Sequence, residues 1–137
     1  MSNSSTAPIY GIKDASFLAA GQEQGVRALA NAFYDEMESL PEAQIILAMH
    51  PKDLEVSRDK LACFLCGWLG GPKRYKEKYG SIRIPLAHRH LAIGTSERDA
   101  WLLCMERALQ KQDYQESFRR YLIEQLYVPA EASRNQA

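Results

Sequence analysis

Apolar residues return at helical spacing along most of this chain. Between Gln22 and Glu38, Val26, Leu29, Ala30, Phe33 and Met37 share one face while Arg27, Asn31 and Asp35 fall opposite, the stripe of an amphipathic helix. Pro41 limits its extension, because a proline pushes the residue before it out of helical geometry. From Asp53 to Leu69 a second stripe carries Leu54, Leu61, Phe64, Leu65 and Trp68, with Glu55, Arg58 and Asp59 pointing away. Asp53 is the expected N-cap, and Gly70-Gly71-Pro72 the expected stop. Ser96-Glu97-Arg98-Asp99 reads as a capping-box-like start for a helix with Trp101, Cys104, Met105, Ala108 and Leu109 on one face. Asp113, with Glu116 three residues on, opens a last helix carrying Phe118, Tyr121, Leu122 and Gln125, which is expected to end before Pro129.

One segment departs from the helical period. Ile82, Ile84 and Leu86 alternate as in a strand, but Pro85 sits inside the pattern and no second strand exists to pair with it. Residues 81–95 therefore read as loop and short helix. Residues 1–10 and 129–137 read as frayed ends. The expected fold is all-α, a single domain over residues 1–137, which is an ordinary size for one domain.

Composition narrows the class. Hydrophobic residues make up 46% and charged residues 25%, as in a folded globular domain. Lysine and arginine number 17, and so do aspartate and glutamate, leaving no basic excess for nucleic acid or a membrane surface. No apolar run approaches the roughly 18 residues of a membrane span. The opening MSNSSTAP has neither the basic nor the apolar region of a secretory signal. Three cysteines, an odd count, suit a reducing compartment, and cytoplasm is the expected location.

The chemistry-bearing residues are few. Cys63-Phe-Leu-Cys66 lies in mid-helix, where a redox pair is not expected, and Gly67 rather than histidine follows it, so it is no covalent haem attachment site. Cys63, Cys66, His88 and His90 have the ligand types of a zinc site but not the spacing of a zinc finger; small core cysteines are the simpler reading. Arg74, Tyr75, Lys76 and Lys78 are either a solvated face or a partner for a ligand's carboxylates. Phe33-Tyr34 and Trp101 read as core, except that the tyrosine and tryptophan each bring a polar atom that needs a partner when buried. His88 lies in the irregular segment between apolar-faced helices, where an imidazole is either an ordinary satisfied side chain or a haem-iron ligand.

The string LACFLCGWLGGPKRY at 61–75, followed by HRHLAIGTSERDAWLLCMERAL at 88–109, resembles the group II truncated haemoglobins. Phe33-Tyr34 and LAMHP at 47–51 extend the likeness, which covers roughly residues 20–127. It implies a shortened globin fold in which two antiparallel helix pairs sandwich a b-type haem (iron protoporphyrin IX). By the same resemblance His88 is the proximal iron ligand and the metal site, while His90, two positions later, is not. Tyr34 and Trp101 match the distal tyrosine and tryptophan, and His50 the polar position at the helix corner. Ser57, Leu61, Phe64, Tyr75 and Phe33 match haem-lining positions. Two departures stand out: Gly21-Gln22 where the family often has two glycines, and Gly80-Ser81 where it often has Gly-His.

Such a haem protein is expected to bind O2, NO and CO at an open iron position. Tyr34, Trp101 and His50 would supply up to three hydrogen-bond donors to the ligand. That pocket suits NO or reactive-oxygen chemistry, or O2 binding, better than bulk transport. The alternatives are a peroxidase-like haem enzyme acting on peroxide, a gas sensor, or a zinc module without haem. NO dioxygenase or peroxidase-like turnover would need a separate reductase, since a domain of this length leaves no room for a flavin or nicotinamide site. A monomer or weak dimer, without nucleic-acid or membrane partners, completes the expectation.

Overall fold

The computed structural model describes residues 9–137, and every regular element among them is helical. In chain order they are α1 (Ala15–Ala19), α2 (Gln22–Ser39), a 3-10 turn (Pro41–Ala43), α3 (Gln44–Leu47), α4 (Glu55–Trp68), α5 (Arg74–Tyr79), α6 (Ile84–His88), α7 (Thr95–Gln110) and α8 (Glu116–Ala132). Helix α2 is central. It packs against α4 on one side and α7 on the other, and α7 pairs with α8. This is the all-α, two-on-two arrangement expected of a shortened globin.

The stripe of α2 is buried as its spacing predicts: Val26, Leu29, Ala30, Phe33 and Met37 are solvent-free. Leu40 takes extended geometry (ψ 126°) ahead of Pro41 and ends the helix. In α4 the outcome is split. Leu54 and Leu65 are buried, yet Leu61, Phe64 and Trp68 stay only partly covered. Of these, Leu61 and Phe64 form a wall of a cavity, and Trp68 stacks on Phe64. The N-cap of α4 is Leu54 rather than the expected Asp53, whose side chain, one residue earlier, accepts the Glu55 amide at 3.0 Å. After α4, Gly70 turns the chain with φ +96°. Asp59 ties α4 to its neighbours by accepting from Arg27 of α2 and from Lys78 and Tyr79 of α5. Those bonds, Lys78 first, hold its carboxyl well below the usual range.

Several boundaries differ from expectation. Helix α7 begins at Thr95, not beyond Ser96: Gly94 is its N-cap, and the Glu97 carboxylate accepts the Gly94 amide at 2.7 Å. A glycine cap has no side chain to advertise itself, so the Ser96–Asp99 pair gave a false start. Helix α8 begins at Glu116 rather than Asp113 and runs through Pro129 to Ala132. Proline removes one helical N–H, and buried Leu126 and Ala130 on either side hold the helix across it. Residues 129–132, expected at the frayed end, therefore belong to α8. At the other end, the Tyr10 ring packs at a tilt against Phe118 and Tyr121 and its hydroxyl bonds Ser117 Oγ at 3.0 Å, while the rest of the expected frayed start, residues 1–8, lies outside the described residues. Gln22, at the departure Gly21-Gln22, adopts a left-handed φ of 61° without the freedom of glycine.

Gly25 sits inside α2, where alanine would normally stabilise a helix by about 1 kcal/mol. Here a Cβ would lie 1.9 Å from the Ala20 carbonyl oxygen, so α1 can approach α2 only over a bare backbone. Gly25→Ala is expected to lower stability by about 2 kcal/mol or more, in the range of overpacked positions, measured by thermal or urea unfolding. A gain of stability would show that the contact relaxes freely.

Candidate functional site

The half-covered faces of α4 and α7 meet α6, α8 and the α3 corner around a cavity of about 380 Å3. Its wall is mainly apolar and includes Ile46, Met49, Leu61, Phe64, Ile84, Leu91 and Leu126. Helix α6 is notable because none of its residues is buried, although its sequence is Ile-Pro-Leu-Ala-His. Ile84, Ala87 and His88 of that helix turn to the cavity.

Two histidines face this space. His88 Nδ1 donates to the Ile84 carbonyl at 2.8 Å. His50 Nδ1 donates to the Ile46 carbonyl, also at 2.8 Å. A carbonyl can only accept, so in each neutral ring the proton sits on Nδ1 and Nε2 keeps its lone pair. Burial lowers the His50 pKa, against the opposing pull of its bond to Ile46, and nearby His88 lowers it further. With the Nδ1 proton given to the Ile46 carbonyl, the other nitrogen of a neutral His50 ring is an acceptor rather than a third donor.

The Tyr34 ring meets His50 edge-on, with centroids 5.5 Å apart. Burial pushes the Tyr34 phenol up to about 12, so it keeps its proton at any ordinary pH. Among the described residues neither the Tyr34 hydroxyl nor the Trp101 indole N–H has a hydrogen-bond partner, yet no side-chain polar atom fully sealed from solvent is left unpaired. Both donors therefore open into the cavity. Phe33 is not on the wall. It lies solvent-free behind it, 5.0 Å from both the Tyr34 and Trp101 rings, and fixes their mutual position.

The structure brings together Tyr34, His50, Ser57, Leu61, Phe64, Tyr75, His88 and Trp101 around one cavity. It leaves out His90, which is exposed. Two cations of the basic cluster after α4 are engaged elsewhere. Arg74 pairs with Glu23 and Glu77, Lys78 pairs with Asp59, and Tyr75 alone of the group lines the cavity. The cations that do line it are Lys60 and Arg98, whose charge gave no sequence signal beyond ordinary surface residues. Pro129, Ala130 and Ser133 line it as well. Their signal was present in the continued spacing of Leu122, Leu126, Ala130 and Ser133 through Pro129, which the proline obscured.

A broad apolar slot with a bare imidazole nitrogen and two unpartnered N–H or O–H donors fits a haem: the apolar walls would take its ring and Lys60 could face its carboxylates, while Arg98 is already paired with Asp99 and Glu131. A zinc site fits less well. Among the described residues no three histidine, cysteine, aspartate or glutamate side chains are placed to share a metal ion.

The chain matches the model of the family described as Bacterial-like globin over residues 16–134. It is 30% identical over 123 residues to the Group 2 truncated hemoglobin YjbI of Bacillus subtilis, spanning 90% of each chain. Among solved structures it is similar to the cold-adapted truncated hemoglobin of the Antarctic marine bacterium Pseudoalteromonas haloplanktis, with 32% identity, a TM-score of 0.85 and coverage of 89% of this chain and 98% of that one. It is likewise similar to the Group II 2-on-2 hemoglobin of the plant pathogen Agrobacterium tumefaciens, with 38% identity, a TM-score of 0.84 and coverage of 89% and 95%.

Cys63, Cys66 and Cys104 are free and buried. Burial first, then nearby carboxylates such as Glu23 and Glu36, pushes Cys66 and Cys104 up to about 11. These thiols are expected to react with a thiol reagent at neutral pH about a hundredfold more slowly in native protein than in denaturant, because the thiolate is the reactive form. Fast native labelling of Cys63 and Cys66 would contradict their place in the core.

Proposed function

The chain belongs to the bacterial-like globins, as a group II truncated haemoglobin, and we propose from this that it binds O2, with NO and CO as alternative ligands, at a haem b held by His88. The family is one of gas-binding haem proteins. The observation that carries the finer reading is the pairing within one cavity of a histidine with a free Nε2 and two unpartnered donors, Tyr34 and Trp101.

The haem supplies a metal centre with a position for a diatomic gas. The protein does the rest. The Ile84 carbonyl holds the His88 ring with its lone pair available. Tyr34 stays protonated and donates, and Trp101 can only donate. His50 accepts, so two donors rather than three face a ligand. Leu61 and Phe64 keep the pocket apolar, which strengthens each hydrogen bond made there. Tight, slowly released ligand suits NO or reactive-oxygen chemistry, or O2 binding, more than bulk transport. Such turnover would draw electrons from a separate reductase. A cytoplasmic monomer or weak dimer completes this reading, supported by three unpaired, buried thiols. Peroxidase-like activity at the same haem is the second reading, favoured by the same donors, which could polarise an O–O bond.

Tyr34→Phe and Trp101→Phe should each speed O2 dissociation about ten- to a hundredfold, as expected for loss of a buried bond worth ~1.5–3 kcal/mol. CO, with little charge on its oxygen, should respond far less. Because both donors act on one ligand, the double variant should depart from additivity. Stopped-flow measurement of both gases decides the point: parallel changes for O2 and CO would mean that the two aromatics only fill space.

A further inference from the structure

The segment that follows α8 reads from sequence as a loose end, but it makes the densest long-range hydrogen bonding near His88. Asn135 uses its whole side-chain amide. Its Oδ1 accepts the Ile93 amide at 3.0 Å, and its Nδ2 donates to the His88 carbonyl at 3.2 Å and to the Leu91 carbonyl at 2.7 Å. The backbone adds two more bonds, from the Asn135 and Gln136 amides to the Ile93 carbonyl at 2.8 and 2.9 Å. Ser133 Oγ donates to the Pro129 carbonyl at 3.0 Å and lies 3.5 Å from His88 Nδ1. With its proton given to Pro129, that oxygen can only accept from the His88 ring, as a second, longer partner beside Ile84.

This segment is itself anchored. Arg134 pairs with Glu131 at 2.8 Å, and Glu131 accepts from Arg98 of α7 at 2.9 Å. Helix α6 has little else to hold it: it buries no residue and packs mainly on α8. The orientation of His88 thus rests on its ring bond to Ile84 and on a backbone pinned from the far end of the chain.

We propose that Ser133–Gln136 is a strap that positions the iron ligand His88, with Asn135 as its principal positioning residue. The proposal rests on the haem reading above. Its consequence is that the geometry of the bond from His88 to iron is set in part by residues more than 40 positions away in sequence.

Three variants test it on the chain as purified. Asn135→Ala removes all three side-chain bonds. Asn135→Asp keeps the acceptor for the Ile93 amide and removes both donors to the His88 and Leu91 carbonyls. Tyr114→Phe is the control, since it deletes one long-range bond (Tyr114 hydroxyl to the Ala20 carbonyl, 2.9 Å) at a position that does not line the cavity. Two signals are read: the iron–histidine stretching band of the ferrous, ligand-free protein by resonance Raman, and amide hydrogen exchange of residues 88–94.

Asn135→Ala should raise exchange at Ile93 about tenfold, as for loss of one hydrogen bond, and should shift or broaden the iron–histidine band. Asn135→Asp should leave Ile93 protected and still move the band. Tyr114→Phe should leave the band where it is. If Asn135→Ala does not fold, Asn135→Asp alone carries the comparison. A band unchanged in the Asn135 variants, or moved equally by Tyr114→Phe, overturns the strap. Absence of any iron–histidine band in the unaltered chain overturns the haem reading and the strap with it, while the exchange data still report the hydrogen bonds themselves.

Discussion

The 2.8 Å hydrogen bond from His88 Nδ1 to the Ile84 carbonyl governs what the central cavity can hold. It fixes the tautomer, turns Nε2 into a lone-pair donor, and does so on a short helix that has almost no packing of its own. An apolar helix with no buried residue is costly unless a ligand covers it, because exposed apolar area forfeits roughly 25 cal/mol per Å2. The arrangement becomes economical in free energy once a large apolar group lies against Ile84, Ala87 and His88.

The rest of the fold serves that slot. Helix α2 is fully used in the core on its Phe33 face and turns Tyr34 to the cavity from the adjoining position. Helix α4 presents Leu61 and Phe64 to the same space, and Asp59 at its outer edge holds α5, and so Tyr75, in place. His50 repeats the local geometry of His88, but beside the Tyr34 ring. The cavity therefore carries two equivalent imidazole acceptors in different company: one among apolar residues of α6, the other next to the aromatic donor.

The helical stripes of α2 and α4 were legible because burial follows their 3.6-residue period, and residues 81–95 were legible because Pro85 forbids the strand that the alternation suggests. Most of the site was visible through motif resemblance, which carried Tyr34, His88 and Trp101 to one cavity. What escaped is what local pattern cannot encode. Gly94 caps α7 through its backbone and so looks like any loop glycine. Pro129 looks like a stop, and only the tertiary burial of Leu126 and Ala130 carries the helix past it. Phe33 stands behind the wall rather than on it because its neighbour Tyr34 takes the cavity-facing direction. Asn135 acts across 42 to 47 residues of sequence, a distance at which no periodicity speaks.

The central claim is that His88, and neither His50 nor His90, binds the iron of a haem in this cavity. It is tested most directly by the absorption spectra of the ferric, ferrous and ferrous-CO protein for the unaltered chain and for His88→Ala, His50→Ala and His90→Ala. The account predicts a haem spectrum in the unaltered chain, loss of the native ferrous-CO spectrum in His88→Ala with recovery on adding imidazole, and its retention in the other two. A native spectrum that survives His88→Ala but is lost in His50→Ala or His90→Ala would contradict it.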